Sequence, residues 1–472
     1  MRPSDQFLAL ADQCIPSGPA HKLRLIEEAE NRAAKALHIL EREIPQGMSI
    51  TAEAWQDLRE SLAATLLWML RFGLGALWLD RASGCWIESQ RELFTRLAED
   101  SDAIHRTFGR PARRLVGIHG ELSHRHHGGR SVASLEFASG LRLIYKPRGM
   151  ALEGWFSSLL DEFDEEQAPI RFRAARVLDR GHYGWAKRMA HRACHGEEEL
   201  RHFYRRSGGL LCLLHLLQAT DVHYENLIAC GPDPVLVDAE TLLQPSLDAG
   251  PASVLRTGMI PVPRVDGSDF SALGFVRERH LPFPVDSHCA TPVLHLRPSC
   301  SVPVEDSAGI APELFAQEQV DGFRLTWNWV SRHRSLLLDY LEQARDLEIR
   351  YVVRDTQDYY LALAHALFTG NPGAVVLPEL DGERTAFSFL LQEEHRALAQ
   401  LDLPRFTLSA DARAIALNGA SGNEVFPRSG YAAAKEAVTT MHEDELERQL
   451  ARMDGAWQFY AVARRLLCPL QG

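Results

Sequence analysis

The chain lacks several features that would assign it quickly. None of its eight cysteines (Cys14, Cys85, Cys194, Cys212, Cys230, Cys289, Cys300 and Cys468) forms a CxxC pair, which fits reduced thiols in a cytoplasmic protein better than a zinc ribbon or a dithiol centre. The opening stretch MRPSDQFLALADQCIPS has no apolar core of the kind a signal peptide needs. The longest apolar run, residues 62–79, contains Arg71, so it reads as one buried helix, not as a membrane span. Positive charge is scarce: 51 Lys and Arg stand against 63 Asp and Glu, a net charge of −12, which disfavours nucleic acid as a partner. There is no internal repeat and no low-complexity tract. A content of 46% hydrophobic and 24% charged residues is ordinary for a soluble globular protein, and 472 residues are enough for about three domain-sized units.

The most informative stretch present is TDVHYENLIACGPDPVLVDAETLL, residues 220–243. Asp221, His223 and Asn226 lie close together, and Asp238 and Glu240 follow the apolar run 235–237. A loop bearing Asp and Asn, then a short hairpin ending in further acids, is how kinase-like enzymes assemble a phosphoryl-transfer site. One Asp faces the attacking hydroxyl, while the Asn and the later carboxylates hold Mg²⁺ on the nucleotide phosphates. Such chemistry asks little covalent help of the protein, so positioned charges can supply most of the catalysis. The plainer alternative is an acidic turn between two strands, but acids placed directly after a buried run are costly unless they have partners.

A second half of such a site lies upstream. Residues 131–148, SVASLEFASGLRLIYKPR, alternate as a β-hairpin turning at Ala138–Gly140, and they deliver Lys146 to a strand end. The turn HRHHGGR, residues 124–130, precedes it with Gly128, Gly129 and Arg130. A Gly-bearing turn followed by a strand-borne Lys is how kinases cover phosphates and set a cation against them. Each signal is weak alone; their order gives them weight.

The strings GGRSV, YKPR, YGW (183–185), FYRRSGGLL (203–211), DVHYEN and VDAETLL resemble the N-terminal dehydratase half of LanM, the class II lanthionine synthetases. Matching strings continue downstream as SVLRTGMIP (253–261), FSALG (270–274), DGF (321–323), RYVVRDTQDYY (350–360) and DLPRF (402–406). The resemblance is weak over the first hundred residues or so. It implies a lipid-kinase-like fold and an enzyme that phosphorylates Ser and Thr of a ribosomally made precursor peptide with ATP. The same enzyme would then eliminate the phosphate to leave dehydroalanine or dehydrobutyrine.

By that resemblance Asp221 orients the peptide hydroxyl and takes its proton, and Asn226, Asp238 and Glu240 hold Mg²⁺. Lys146 and the turn Gly128–Gly129–Arg130 meet the nucleotide phosphates. His223 has two readings, a contact to the reacting phosphate or a loop-ordering side chain. The family's elimination step uses an Asp and a His in the Gly turn, then an Arg and a Thr downstream; His126, Arg350 and Thr356 match three of these. The Asp position is filled by His124. Elimination removes a weakly acidic α-proton while phosphate leaves, so it needs a base and nearby cations. An imidazole titrates near neutrality and could be that base, but it is no permanent carboxylate. Glu121 could supply one if the loop has shifted register, although the unbroken GGRSV spacing argues against it. HRHH is otherwise a solvated turn or a metal site, and no Cys or acid at ligand spacing joins it. Downstream, a guanidinium fork at Arg350 suits phosphate, with Thr356 beside it and Arg354 in a supporting role; the alternative is that both arginines pair with surface acids. The basic run 105–114 could hold an acidic leader peptide or be a solvated face.

The expected fold class is thus α+β, a two-lobed kinase-like (lipid-kinase-like) core with helical N- and C-terminal additions. Residues 1–112 read as a helical region and 113–190 as a β-rich N-lobe. Residues 191–300 read as a C-lobe whose segment 245–300, rich in Pro, Gly and Ser, is an activation-type loop. Residues 301–472 read as mainly helical, with long helices over 312–347 and 435–467. LanM proteins continue into a zinc-dependent cyclase. This chain ends at Gly472 with no Cys/His cluster, so a stand-alone cytoplasmic dehydratase is expected, with ATP and Mg²⁺ as cofactors. Its partners would be a leader-bearing precursor peptide and a separate cyclase or other tailoring enzyme. Two other readings stay open: a kinase that stops at the phosphorylated product because of His124, and an inactive leader-binding partner. The intact set Lys146, Asp221, Asn226 and Asp238 speaks against the last.

Overall fold

In the computed structural model the described residues are 19–71, 74–120, 123, 125–126, 128–248, 250, 252–262, 271–274, 312–368, 375–380, 382–417 and 420–467. The N-terminal part opens with α1 (Pro19–Glu41), a two-residue strand β1 (Ser49–Ile50), α2 (Ala52–Arg71), α3 (Ala76–Glu99) and α4 (Ser101–Phe108). Ala29, Ala33, Ala36 and Leu40 recur at helical spacing on the buried face of α1 and pack into one core with Leu58, Leu62 and Leu66 of α2. The apolar run 62–79 forms two helices, not the single one expected. Gly75 caps α3 in extended conformation (φ −71°, ψ 169°), which a continuing helix cannot accommodate. Among the described residues no helix is long and apolar enough to cross a membrane.

Strands β2 (Arg114–His119), β3 (Ala133–Phe137), β4 (Arg142–Lys146), β5 (Val177–Asp179) and β6 (Gly184–Lys187) join β1 in one sheet, ordered β1-β2-β3-β4-β6-β5. The hairpin implied by alternation is β3–β4, in register from Ala133↔Tyr145 to Glu136↔Arg142. Residue 112 does not divide the core. Leu135, Leu143, Tyr145 and Trp185 of the sheet share one apolar cluster with α1–α3. β1 pairs in parallel with β2, and the Asp57 carboxylate accepts from the Ile118 amide (3.0 Å).

Helix α5 (Ala151–Glu165) follows β4 and leads, after β5 and β6, to α6 (Glu197–Leu216) and the hairpin β7 (Leu227–Cys230)–β8 (Asp233–Leu236). The C-terminal part holds α7 (Ala316–Arg332), α8 (Arg334–Ala344), β9 (Glu348–Tyr351), α9 (Thr356–Phe368), α10 (Leu391–Leu398), β10 (Phe406–Ser409), β11 (Ala414–Leu417), β12 (Ala420–Glu424), α11 (Gly430–Thr439) and α12 (Glu443–Leu467). The region expected to be mainly helical therefore also carries two antiparallel strand pairs, β9–β10 and β11–β12. Both long helices expected there are broken. The first stops at His333, whose Nδ1 lies 2.9 Å from the Trp329 carbonyl at the end of α7; the second stops between Thr439 and Glu443. Most of the activation-type loop, 263–270 and 275–300, lies outside the described residues.

Helices α6 and α7 cross at glycines. A Cβ at Gly208 would strike the Gln319 carbonyl, and one at Gly322 would strike the Arg205 carbonyl. The glycines of FYRRSGGLL and DGF are thus there so that two backbones can touch. This contact seats Phe203, Tyr204 and Phe323 in the larger core beneath the β7–β8 hairpin.

Candidate functional site

The loop after α6 is held from both sides. The Val222 amide donates to the Thr257 carbonyl (2.9 Å), and the Asn226 side-chain amide donates to the Asp221 carbonyl (2.8 Å). The Asn226 carbonyl in turn accepts from the Val237 amide (2.9 Å), which ties this loop to the strand end that carries Asp238. Asp221 sits at φ 57°, a left-handed conformation that Asp tolerates better than most residues. Its side chain is accessible to solvent, yet the protein packed around it pushes the carboxyl above its ordinary value, against the pull of His223 and Arg350. His223 Nδ1 accepts from the Glu225 amide (3.2 Å). That contact orders the loop and, in the neutral ring, places the proton on Nε2.

Lys146, buried at the end of β4, reaches the Val237 carbonyl (2.9 Å), Asp238 Oδ1 (3.1 Å) and Glu153 Oε1 (3.4 Å). Arg148, two residues on, bonds Glu153 (2.5 Å), Asp238 Oδ1 (2.6 Å) and Glu240 Oε2 (2.9 Å). Glu240 also receives Arg350 on Oε1 (2.6 Å) and Arg405 on Oε2 (3.3 Å). Burial would raise the Glu240 carboxyl, but Arg148, Arg350 and Arg405 outweigh it and hold the group well below the usual carboxylate range. Four cations (Lys146, Arg148, Arg350, Arg405) thus face Glu153, Asp238 and Glu240, and Arg405 also meets Glu348 (3.5 Å), so the cluster is close to charge-balanced.

The expected metal set is only partly assembled. Both Glu240 oxygens, expected from sequence to hold Mg²⁺, are taken by guanidinium groups in this structure. Among the described residues no three His, Cys, Asp or Glu side chains cluster as metal ligands. Asp238 takes both of its cations on Oδ1, and among the described residues no bond to Asp238 Oδ2 or to Asn226 Oδ1 is seen, the latter residue using its amide nitrogen. Two such oxygens fit Mg²⁺, which is commonly held by one or two protein groups together with substrate phosphates and water.

The residues expected to serve elimination are divided. Arg350 on β9 joins the acid cluster, and Thr356 opens α9 beside it, lining a small pocket with Arg350, Tyr351, Tyr359 and Leu403. Arg354 lines the same pocket and is buried against Glu394 (2.7 Å) and the Pro378 carbonyl (2.6 Å). The Gly turn is occupied by protein. Gly128 and Gly129 donate their amides to the Asp402 carboxylate (2.5 and 3.0 Å), and Arg130 bonds Glu92 (2.6 Å). These three, expected on the nucleotide phosphates, are thus turned to carboxylates of the chain itself. His126 Nδ1 lies 2.7 Å from the Leu403 carbonyl. His124 and Glu121 lie outside the described residues.

Sequence reasoning missed Arg148, Glu153, Asp402 and Arg405. Arg148 sits in YKPR, and Asp402 and Arg405 sit in DLPRF, strings that carried the resemblance but were given no role. Glu153 could have been found as an acid on the buried face of α5, between Leu152 and Trp155.

A family model for a domain of unknown function, DUF4135, matches residues 76–409. The Lacticin 481/lactococcin biosynthesis protein LcnDR2 of Lactococcus lactis subsp. lactis is 23% identical over 328 residues, covering 61% of this chain and 36% of that protein. The chain thus spans little more than a third of the relative's length. The family match runs from α3 to β10 and includes every residue of the charged cluster. The chain therefore belongs to the DUF4135 family and is a LanM-like, lanthipeptide-synthetase-related protein.

Proposed function

We propose that the chain is a dehydratase that phosphorylates Ser and Thr of a leader-bearing precursor peptide with ATP and then eliminates the phosphate, on a two-lobed, kinase-like core. The observation that carries this reading is the set Lys146–Glu153–Asp238, with a buried strand Lys ion-paired to a buried helix acid (3.4 Å) and to the half-buried acid that follows the hairpin (3.1 Å). Kinases use a Lys–Glu pair of this kind to set the cation on nucleotide phosphates.

In the first half-reaction Lys146 and Arg148 bind the phosphates. Asp221 orients the peptide hydroxyl and accepts its proton as the oxygen bonds to the terminal phosphorus and the bond to ADP breaks. A carboxyl pushed upward by its surroundings is a better base for that step than an ordinary one. Mg²⁺, when bound by Asn226 and Asp238, neutralises charge on the phosphates. In the second half-reaction a base removes the α-proton, the C–H electrons form the Cα=Cβ bond, and the Cβ–O bond breaks with its pair leaving on phosphate. Arg350 offers the cation for that leaving group, with the Thr356 hydroxyl beside it, and His126 and His124 supply the imidazoles of the Gly turn. A later cyclisation or other tailoring step would use the dehydrated product.

Asp221→Asn tests the reading. With a precursor peptide, ATP and Mg²⁺, mass spectrometry should show phosphorylation and dehydration reduced ~10²–10⁴-fold, with nucleotide binding kept. Modification at the wild-type rate would remove Asp221 from the mechanism. One observation favours a second reading, a kinase that stops at the phosphopeptide: His124 stands where the family has Asp. On that reading the wild-type chain accumulates phosphopeptide, and His124→Asp shifts the product toward the dehydrated form.

A further inference from the structure

One short segment touches both the Gly turn and the charged cluster. The Asp402 carboxylate, 4% exposed, accepts from Gly128 N (2.5 Å) and Gly129 N (3.0 Å). Next to it, the Leu403 amide donates to the Arg125 carbonyl (2.8 Å), and the Leu403 carbonyl meets His126 Nδ1 (2.7 Å). After Pro404, Arg405 reaches Glu240. Gly128 and Gly129 have φ of 88° and 84°, and successive N–H groups in such a turn can converge on one anion. A backbone carbonyl can only accept, so the Leu403 contact places the ring proton of His126 on Nδ1 and makes Nε2 its basic nitrogen.

We propose that Asp402 is a positioning residue for elimination. Its carboxylate locks the Gly turn in the form that presents His126 as the Nδ1–H tautomer, and the strap 402–405 keeps that turn in register with Glu240 and Arg350. The turn's own acid position is filled by His124, and Asp402 brings a carboxylate to the turn from the other end of the chain. The assignment rests on the proposed function in one respect, that His126 serves elimination.

The test uses the full chain as wild type, Asp402→Asn and Asp402→Ala. Hydrogen exchange over 125–130 and nitrogen NMR of the His126 ring are read without substrate. Phosphate release from a synthetic phosphoserine peptide with ADP and Mg²⁺, and ATP-dependent phosphorylation of the unmodified peptide, are read separately. In Asp402→Ala the Gly128 and Gly129 amides should exchange about tenfold faster, the equivalent of one lost hydrogen bond, and His126 should become a mixture of tautomers. Phosphate release should fall about tenfold or more in kcat with KM little changed, phosphorylation should persist, and Asp402→Asn should fall between. Unchanged exchange and tautomer in Asp402→Ala would overturn the proposal. So would an equal loss of both half-reactions together with faster exchange in β7–β8, since that is general loosening. A wild-type chain that never releases phosphate would instead sink the dehydratase reading, and the exchange and ring measurements would still decide whether Asp402 positions His126.

Discussion

Glu240 and Arg350 are joined twice across 110 residues: Arg350 Nη1 donates to Glu240 Oε1 (2.6 Å), and the Arg350 amide donates to the Glu240 carbonyl (2.8 Å). The backbone bond fixes β9 against the strand end that carries Asp238. The side-chain bond then sets the guanidinium beside the same acids that Lys146 and Arg148 meet. Arg350, proposed for elimination, therefore shares one electrostatic cluster with the groups proposed for transfer.

Glu240→Gln separates an arginine anchor from a metal ligand. Three guanidinium groups would lose their common anion, and breaking a buried ion pair costs ~3–5 kcal/mol. Denaturation without nucleotide or metal should show that loss. A variant as stable as wild type but weaker in Mg²⁺-dependent nucleotide binding would return Glu240 to the metal.

Lys146→Ala should weaken nucleotide binding with or without Mg²⁺, because it removes a phosphate cation. Asp238→Ala should weaken the Mg²⁺-dependent part, because Oδ2 is the open oxygen. Calorimetry with and without metal distinguishes them. Mg·ATP binding at wild-type affinity by Asp238→Ala would show that the metal assignment is wrong.

Gly322→Ala should destabilise the chain by ~1–3 kcal/mol, since its Cβ meets the rigid Arg205 carbonyl and not a movable side chain. Gly154→Ala on α5 is the control. Nothing lies within 4 Å of that Cβ, so helix propensity should make it neutral or stabilising by up to ~1 kcal/mol. Equal effects at both sites would contradict the packing account of α6 and α7.

His215, buried on α6 among Phe323 and Trp327, has its imidazole pushed down to about 4 by burial, with Glu445 opposing and Arg452 adding to the shift. The unfolded chain titrates this group near 6.5, so it binds the proton before the folded chain does. Its contribution to stability is thus complete above about pH 6.5 and is lost as pH falls toward 4, in all about 3 kcal/mol. Glu240 runs on a lower window: its depressed carboxyl gives stability above the ordinary carboxylate range and loses it as pH falls below that. Urea denaturation between pH 7 and 5 should show the His215 loss in wild type and a flatter profile in His215→Phe. Identical profiles would exclude His215.

Periodicity and motif order made much of this legible. Alternation around Ala138–Gly140 located the β3–β4 hairpin and Lys146, and the spacing of Asp221, Asn226 and Asp238 located the loop and hairpin beside it. Partners distant in sequence were not legible. Nothing near Gly128 announces that a carboxylate 274 residues away will take its amide, and nothing near Glu240 announces three arginines. Boundaries within helical patterns also failed, because Gly75 and His333 interrupt stripes whose apolar spacing runs on past them.

The six-stranded sheet ends on β1, two residues long, and on β5, three residues long. Short margins of this kind offer little unpaired backbone for another chain to extend. A chain trimmed to begin at 113 would lose β1 and α2, leaving β2 as an open margin with Leu115 and Ile118 stripped of their helical cover. Its expected fate is intermolecular strand pairing and precipitation, which makes the amino-terminal helices a solubility device for the sheet that delivers Lys146.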